Sequence, residues 1–93
     1  MEATVRGNVQ GVGFRWYVAR IAMGLGLTGW VANAGDGSVQ VVAEGSSGAI
    51  DALLEGLREG PPGAHVRAVT AGDVPPSGRF DRFEIRTGWH GGD

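Results

Sequence analysis

Val5-Arg6-Gly7-Asn8-Val9-Gln10-Gly11-Val12-Gly13-Phe14-Arg15 is the stretch on which the fold turns. A short β-branched strand signal runs into a loop containing Gly7, Gly11 and Gly13, and Arg15 stands at the mouth of a helical segment that begins near Phe14. Glycine allows backbone N–H groups to turn toward one point, and a helix N-terminus adds about half a positive charge there. This pattern fits an anion cradle. It equally fits a tight strand-to-helix turn that needs glycine only for its dihedral angles.

Downstream of the loop, Phe14, Val18, Ile21, Ala22 and Leu25 form a helical stripe that would face a core. Gly26 is placed to end this helix as a left-handed residue, with Leu27 available to pack back on the last turn. Thr28 to Ala34 is expected to be a strand, with Trp30 and Ala32 on one side and Val31 and Asn33 on the other. Gly35-Asp36-Gly37 is a hairpin turn, and Ser38 to Gly45 is its partner strand, with Val39, Val41 and Ala43 on the drier face. Ser46 and Ser47 offer caps for a second helix carrying Ile50, Leu53, Leu54 and Leu57, which Gly60-Pro61-Pro62-Gly63 stops. A strand over about Ala64 to Ala71, a surface loop over Gly72 to Gly78 and a short strand around Phe83 and Ile85 complete the core. Thr87 to Asp93, with Trp89 and His90, is expected to be a tail.

This order nearly determines a topology. A strand-helix-strand crossover makes strands one and two parallel, and the Gly35 to Gly37 hairpin sets strand three antiparallel beside strand two. If strand three fits between the first two and the second crossover returns outside strand one, the sheet order is 4-1-3-2, with both helices on one face. That is an α+β, ferredoxin-like βαββαβ sandwich with a mixed sheet of antiparallel type plus a short C-terminal strand. The C-terminal ends of strands one and two then emerge at the same rim, the first near Arg15 and the second at Asn33.

Bulk properties narrow the function. Ninety-three residues make one domain, able to bury about 60 to 65% of its unfolded surface. A net charge of −2, with eight arginines spread along the chain and no basic tract, argues against nucleic acid as a partner. The absence of cysteine excludes a disulfide framework, a thiol nucleophile and a thiolate metal site. His65 and His90 lack ligand spacing. With no signal peptide and no long apolar run, a soluble cytoplasmic protein without membrane association is expected. A monomer is expected as well.

Two nucleotide motifs fail on context. Gly24, Gly26 and Gly29 spell G-x-G-x-x-G but end a helix and begin a strand, the reverse of a dinucleotide fold. Gly7 to Arg15 lacks the Gly-Lys-Ser/Thr of a triphosphate-binding loop. Arg15 is more informative, because a cation in a first helical turn opposes the helix dipole unless an anion lies beside it. Asn33 could be turn chemistry alone, and its convergence with Arg15 is what raises it. Arg6 and Arg20 carry no such argument and are expected to be surface charges. Trp30 is expected in the core or on the sheet surface.

The run from Val5 to Arg15, then Leu25-Gly26-Leu27-Thr28-Gly29-Trp30-Val31-Ala32-Asn33, Asp36-Gly37-Ser38-Val39, Glu44-Gly45 and Gly60-Pro61, resembles the acylphosphatase family in order and spacing over about Val5 to Arg86. The resemblance implies the ferredoxin-like fold and hydrolysis of acyl phosphates to a carboxylate and inorganic phosphate. It further implies that Arg15 binds the phosphoryl group and Asn33 positions the attacking water, with no metal or organic cofactor. Backbone N–H groups of Gln10, Gly11, Val12, Gly13, Phe14 and Arg15 would form the phosphate cradle. Ala34 departs from the family pattern, where a hydroxyl residue often follows the asparagine, and the tail after Arg86 extends beyond it. The competing function is a noncatalytic ferredoxin-like module that holds an anion or a protein partner, and it would not require Arg15 and Asn33 at one rim.

Overall fold

The computed structural model describes residues 1–87. The expected tail, with Trp89 and His90, lies outside the described residues apart from Thr87. In chain order the elements are β1 (Glu2–Asn8), α1 (Phe14–Gly24), β2 (Thr28–Asn33), β3 (Val39–Glu44), α2 (Ser47–Glu59), β4 (His65–Gly72) and β5 (Phe83–Arg86). The strands form one sheet in the order β4-β1-β3-β2-β5. The inner order is the expected 4-1-3-2, and β5 extends it by pairing parallel to β2.

The sheet register prepares the site. β1 pairs antiparallel with β3 up to Val5 opposite Val39, and β2 pairs antiparallel with β3 up to Asn33 opposite Val39. Val5, Val39 and Asn33 therefore stand in one row across three strands. The row lies at the end of the sheet where β1 leads into the glycine loop and β2 leads into its hairpin.

The alternation read from the sequence explains the core. Val31, Val39, Val41, Ala43 and Val5 turn one face of the sheet inward, where they meet Phe14, Val18, Ala19 and Ala22 of α1 and Leu53 and Leu57 of α2. Each fully buried large apolar side chain contributes about 1.5 to 3 kcal/mol. Ala19, outside the expected stripe, is buried because the helix packs more broadly than a narrow seam. α1 packs over β2 and β5, and α2 over β4.

The helix ends differ in kind. α1 closes as a Schellman motif: the Leu27 N–H donates to the Ala22 carbonyl and the Gly26 N–H to the Met23 carbonyl, with Gly26 at φ 72°. α2 opens on Ser46, whose Oγ accepts from the Ala49 N–H. The opening of α1 has no side-chain cap at all, because Gly13 occupies that position. Beyond β4, the loop to β5 is fastened by Glu44, whose carboxylate accepts from the backbone N–H groups of Ser77 and Gly78 and from the Ser77 hydroxyl. These bonds hold the Glu44 carboxyl below its ordinary pKa, the Ser77 N–H contributing most.

Candidate active site

The loop between β1 and α1 begins with a buried residue, Val9, which anchors the chain to the core. Gly11 and Gly13 both have φ 76°, on either side of Val12, which itself packs against the core. A left-handed residue next to right-handed ones curls the backbone so that successive N–H groups face one concavity. Gly13 then hands the chain directly to Phe14, and the first intrahelical bond runs from the Tyr17 N–H to the Gly13 carbonyl. The N–H groups of the first turn lie ahead of that bond, and no side chain caps them. The expected cradle residues, Gln10 through Arg15, thus share one loop and one helix mouth.

Gly7 has a different explanation. It lies inside β1 at a break in the β1–β4 register, and a Cβ there would collide with the His65 carbonyl and the Arg67 N–H. Its glycine serves close strand approach and lies outside the loop that carries the expected cradle residues.

Arg15, the second residue of α1, sends its guanidinium across to the end of the sheet, where Nη1 donates to the Arg86 carbonyl at 2.8 Å. Arg86 is in register with Ala32. The guanidinium is therefore fixed beside the strand end that carries Asn33, one residue further along β2. Alternation on β2 puts Asn33 on the same side as buried Val31, the side on which α1 lies. Asn33 is half-buried, and among the described residues its carboxamide makes no hydrogen bond. Arg15 and Asn33 thus converge at one rim. On the face of the sheet away from the helices, the Arg86 guanidinium lies 4.4 Å from the Trp30 ring centroid and steadies this corner. That stack places Trp30 on the sheet surface, one of its two expected locations.

The β2–β3 turn closes the other side. The Gln10 side-chain amide donates to the Ala34 carbonyl at 2.7 Å and to the Ser38 carbonyl at 2.9 Å. At the outer edge of the turn, Asp36 accepts from the Ser38 N–H at 3.0 Å and the Ser38 hydroxyl at 2.6 Å, and pairs with Arg6 at 3.1 Å. The Ser38 bonds, more than the Arg6 charge, lower the Asp36 pKa from 3.8 to about 2. Arg6 is on the surface as expected, but it is paired; Arg20 is exposed on the outer face of α1.

Two contacts escaped the sequence: the Gln10 side-chain bonds and the Arg86 carbonyl. The glutamine was visible only as a backbone member of the cradle, and a carbonyl acceptor has no residue-type signature. Among the described residues no three His, Asp or Glu side chains form a metal-ligating group, and no helix is long and apolar enough to cross a membrane.

Comparison with known proteins agrees with this fold. The acylphosphatase family profile matches residues 1–85. The chain is 49% identical over 80 residues to an acylphosphatase of Paraburkholderia xenovorans, covering 86% of this chain and 82% of that protein. A Burkholderia mallei acylphosphatase is 52% identical over the same length and shares. Among solved structures, an acylphosphatase from Bacillus subtilis superposes with a TM-score of 0.89 at 35% identity, covering 92% of this chain and 96% of that one. One from Coxiella burnetii superposes with a TM-score of 0.87 at 42% identity, covering 91% and 88%. With its profile, its relatives and its five-stranded ferredoxin-like sheet in agreement, the chain belongs to the acylphosphatase family of enzymes.

Proposed function

We propose that this protein hydrolyses acyl phosphates to a carboxylate and inorganic phosphate, using the loop Gln10–Gly13, the mouth of α1 and Arg15 to hold the phosphoryl group and Asn33 to orient water. The observation that carries the proposal is the Arg15–Arg86 bond, which fixes a guanidinium beside the strand end bearing Asn33.

The chemistry asks for little more. The leaving group is a carboxylate, with an intrinsic pKa of about 4 to 5, so its departure requires no general acid. What remains is to hold three phosphoryl oxygens, offset their charge and place one water in line. Backbone N–H groups of the curled loop and of the uncapped helix turn meet the oxygens, and the guanidinium offers a planar fork. The Asn33 side-chain carbonyl accepts a hydrogen bond from the water and aims a lone pair at phosphorus. As oxygen attacks and the P–O bond to the acyl group breaks, the electron pair leaves with the carboxylate. The water's proton passes to a phosphoryl oxygen, because asparagine is no base, so the substrate assists its own hydrolysis.

Monitoring benzoyl phosphate by ultraviolet absorbance, with chelator present and no metal added, tests the proposal. Hydrolysis well above the spontaneous rate, competitively inhibited by inorganic phosphate, is expected. A rate equal to the spontaneous one would overturn it in favour of a noncatalytic anion-binding module.

A further inference from the structure

We infer that Gln10 is a positioning residue that holds the phosphoryl cradle and Asn33 in fixed relation by clamping the β2–β3 turn. The inference rests on the roles proposed above for the loop and for Asn33.

The Gln10 side-chain nitrogen carries two hydrogens, and each is directed at a different carbonyl, Ala34 at 2.7 Å and Ser38 at 2.9 Å. Ala34 directly follows Asn33, and Ser38 directly precedes Val39, the register partner of Asn33. The same two residues are joined by the Ala34 N–H donating to the Ser38 carbonyl at 2.9 Å. The amide therefore bridges the mouth of the turn at the residues flanking the Asn33–Val39 pair, spanning 24 and 28 residues of sequence. A planar amide group satisfies both carbonyls only if they converge at a set separation, so the clamp is sensitive to position as well as to strength.

The clamp's own backbone is a cradle residue. The backbone of Gln10 lies in the loop proposed to grip phosphate, while its side chain grips the turn that continues from Asn33. The outer side of the turn is held separately by Asp36, through its bonds to Ser38 and Arg6. Losing the Gln10 clamp thus leaves the turn formed but lets it shift relative to the loop. Misplacing an in-line water by about 1 Å is enough to cost on the order of a hundredfold in rate. Phosphate binding, which depends on the loop and Arg15, is much less affected.

The test uses Gln10→Met, which keeps length and volume but removes both donors, and Gln10→Glu, which turns a carboxylate oxygen toward two carbonyls. Steady-state hydrolysis of benzoyl phosphate and competitive inhibition by inorganic phosphate are measured for each, alone and combined with Asn33→Ala. Gln10→Met should lower kcat by about ten- to a hundredfold while changing the phosphate inhibition constant by no more than about threefold. Adding Gln10→Met to Asn33→Ala should produce little further loss, because there is no water-orienting group left to misplace. Three results would overturn the inference: wild-type kcat in Gln10→Met, full multiplicative loss in the double variant, or phosphate affinity falling in step with kcat. Circular dichroism verifies folding; if Gln10→Met does not fold, Gln10→Leu is judged by the same criteria, and Gln10→Glu is judged on kcat alone because its added charge also repels phosphate. An inactive wild type, or an Asn33→Ala variant with wild-type kcat, would instead count against the proposed function itself.

Discussion

The Arg15 guanidinium donates to the Arg86 main-chain carbonyl at 2.8 Å, joining the first turn of α1 to the end of β5 across 71 residues. A cation in this turn is electrostatically unfavourable on its own, since it faces the positive end of the helix. The carbonyl dipole partly offsets that and holds the guanidinium at the end of the sheet. Nη1 engages the carbonyl, and among the described residues the other guanidinium N–H donors make no hydrogen bond.

Replacing Arg15 by glutamine should nearly abolish both functions of this group. Turnover of benzoyl phosphate is expected to fall by at least about two to three powers of ten, with inhibition by inorganic phosphate lost as well. Arg15→Lys keeps the charge without the planar fork and should recover only part of the binding. Phosphate inhibition of Arg15→Gln at the wild-type level would refute the binding role.

Asn33→Ala should separate turnover from binding. A drop in kcat of about two powers of ten is expected, with a much smaller change in the phosphate inhibition constant. A parallel loss of both would make Asn33 a structural residue at the end of β2.

The Asp36 carboxyl should make the β2–β3 turn acid-sensitive. Its pKa is lowered from 3.8 to about 2, so its stabilisation is present in full above pH 3.8 and is lost as the pH falls toward 2. Melting temperatures measured across that window should fall more steeply for the wild type than for Asp36→Asn. Identical slopes would show that the Ser38 and Arg6 contacts do not persist in solution.

Tyr17 should contribute to stability and not to turnover. Its hydroxyl donates to the Gly56 carbonyl at 2.7 Å and so bridges the two helices, and burial raises its pKa, with Glu59 adding to the shift. Tyr17→Phe removes one partly buried hydrogen bond, expected to cost about 1 kcal/mol, or about 4 to 8 °C in melting temperature for a domain of this size. The kcat for benzoyl phosphate should remain that of the wild type. A variant of unchanged melting temperature would show that this bond adds nothing net.

Much of the fold was legible because local patterns settled it. The alternation of Val39, Val41 and Ala43, the helical stripe from Phe14 to Ala22 and the Gly26–Leu27 ending are set by periods of two and 3.6 and by one left-handed glycine. Gly7 falls at the end of the first strand, but the reason for glycine there, the approach of β4, depends on a strand some sixty residues away. The placement of β5 was equally hidden, since a four-residue strand carries no mark of which edge it joins.

The sequence by itself determined the order of elements, the drier face of the sheet and the glycine-rich entry to α1 with an arginine in its first turn. It could do so because these follow from backbone dihedrals, hydrophobic period and side-chain chemistry, all local properties. Only the tertiary structure decided that Arg15 is fixed by the Arg86 carbonyl beside the end of β2, and that Gln10 clamps the turn leading away from Asn33. Both are contacts to main-chain carbonyls, which every residue possesses, so the pairing is selected by packing and register and leaves no trace in residue identity.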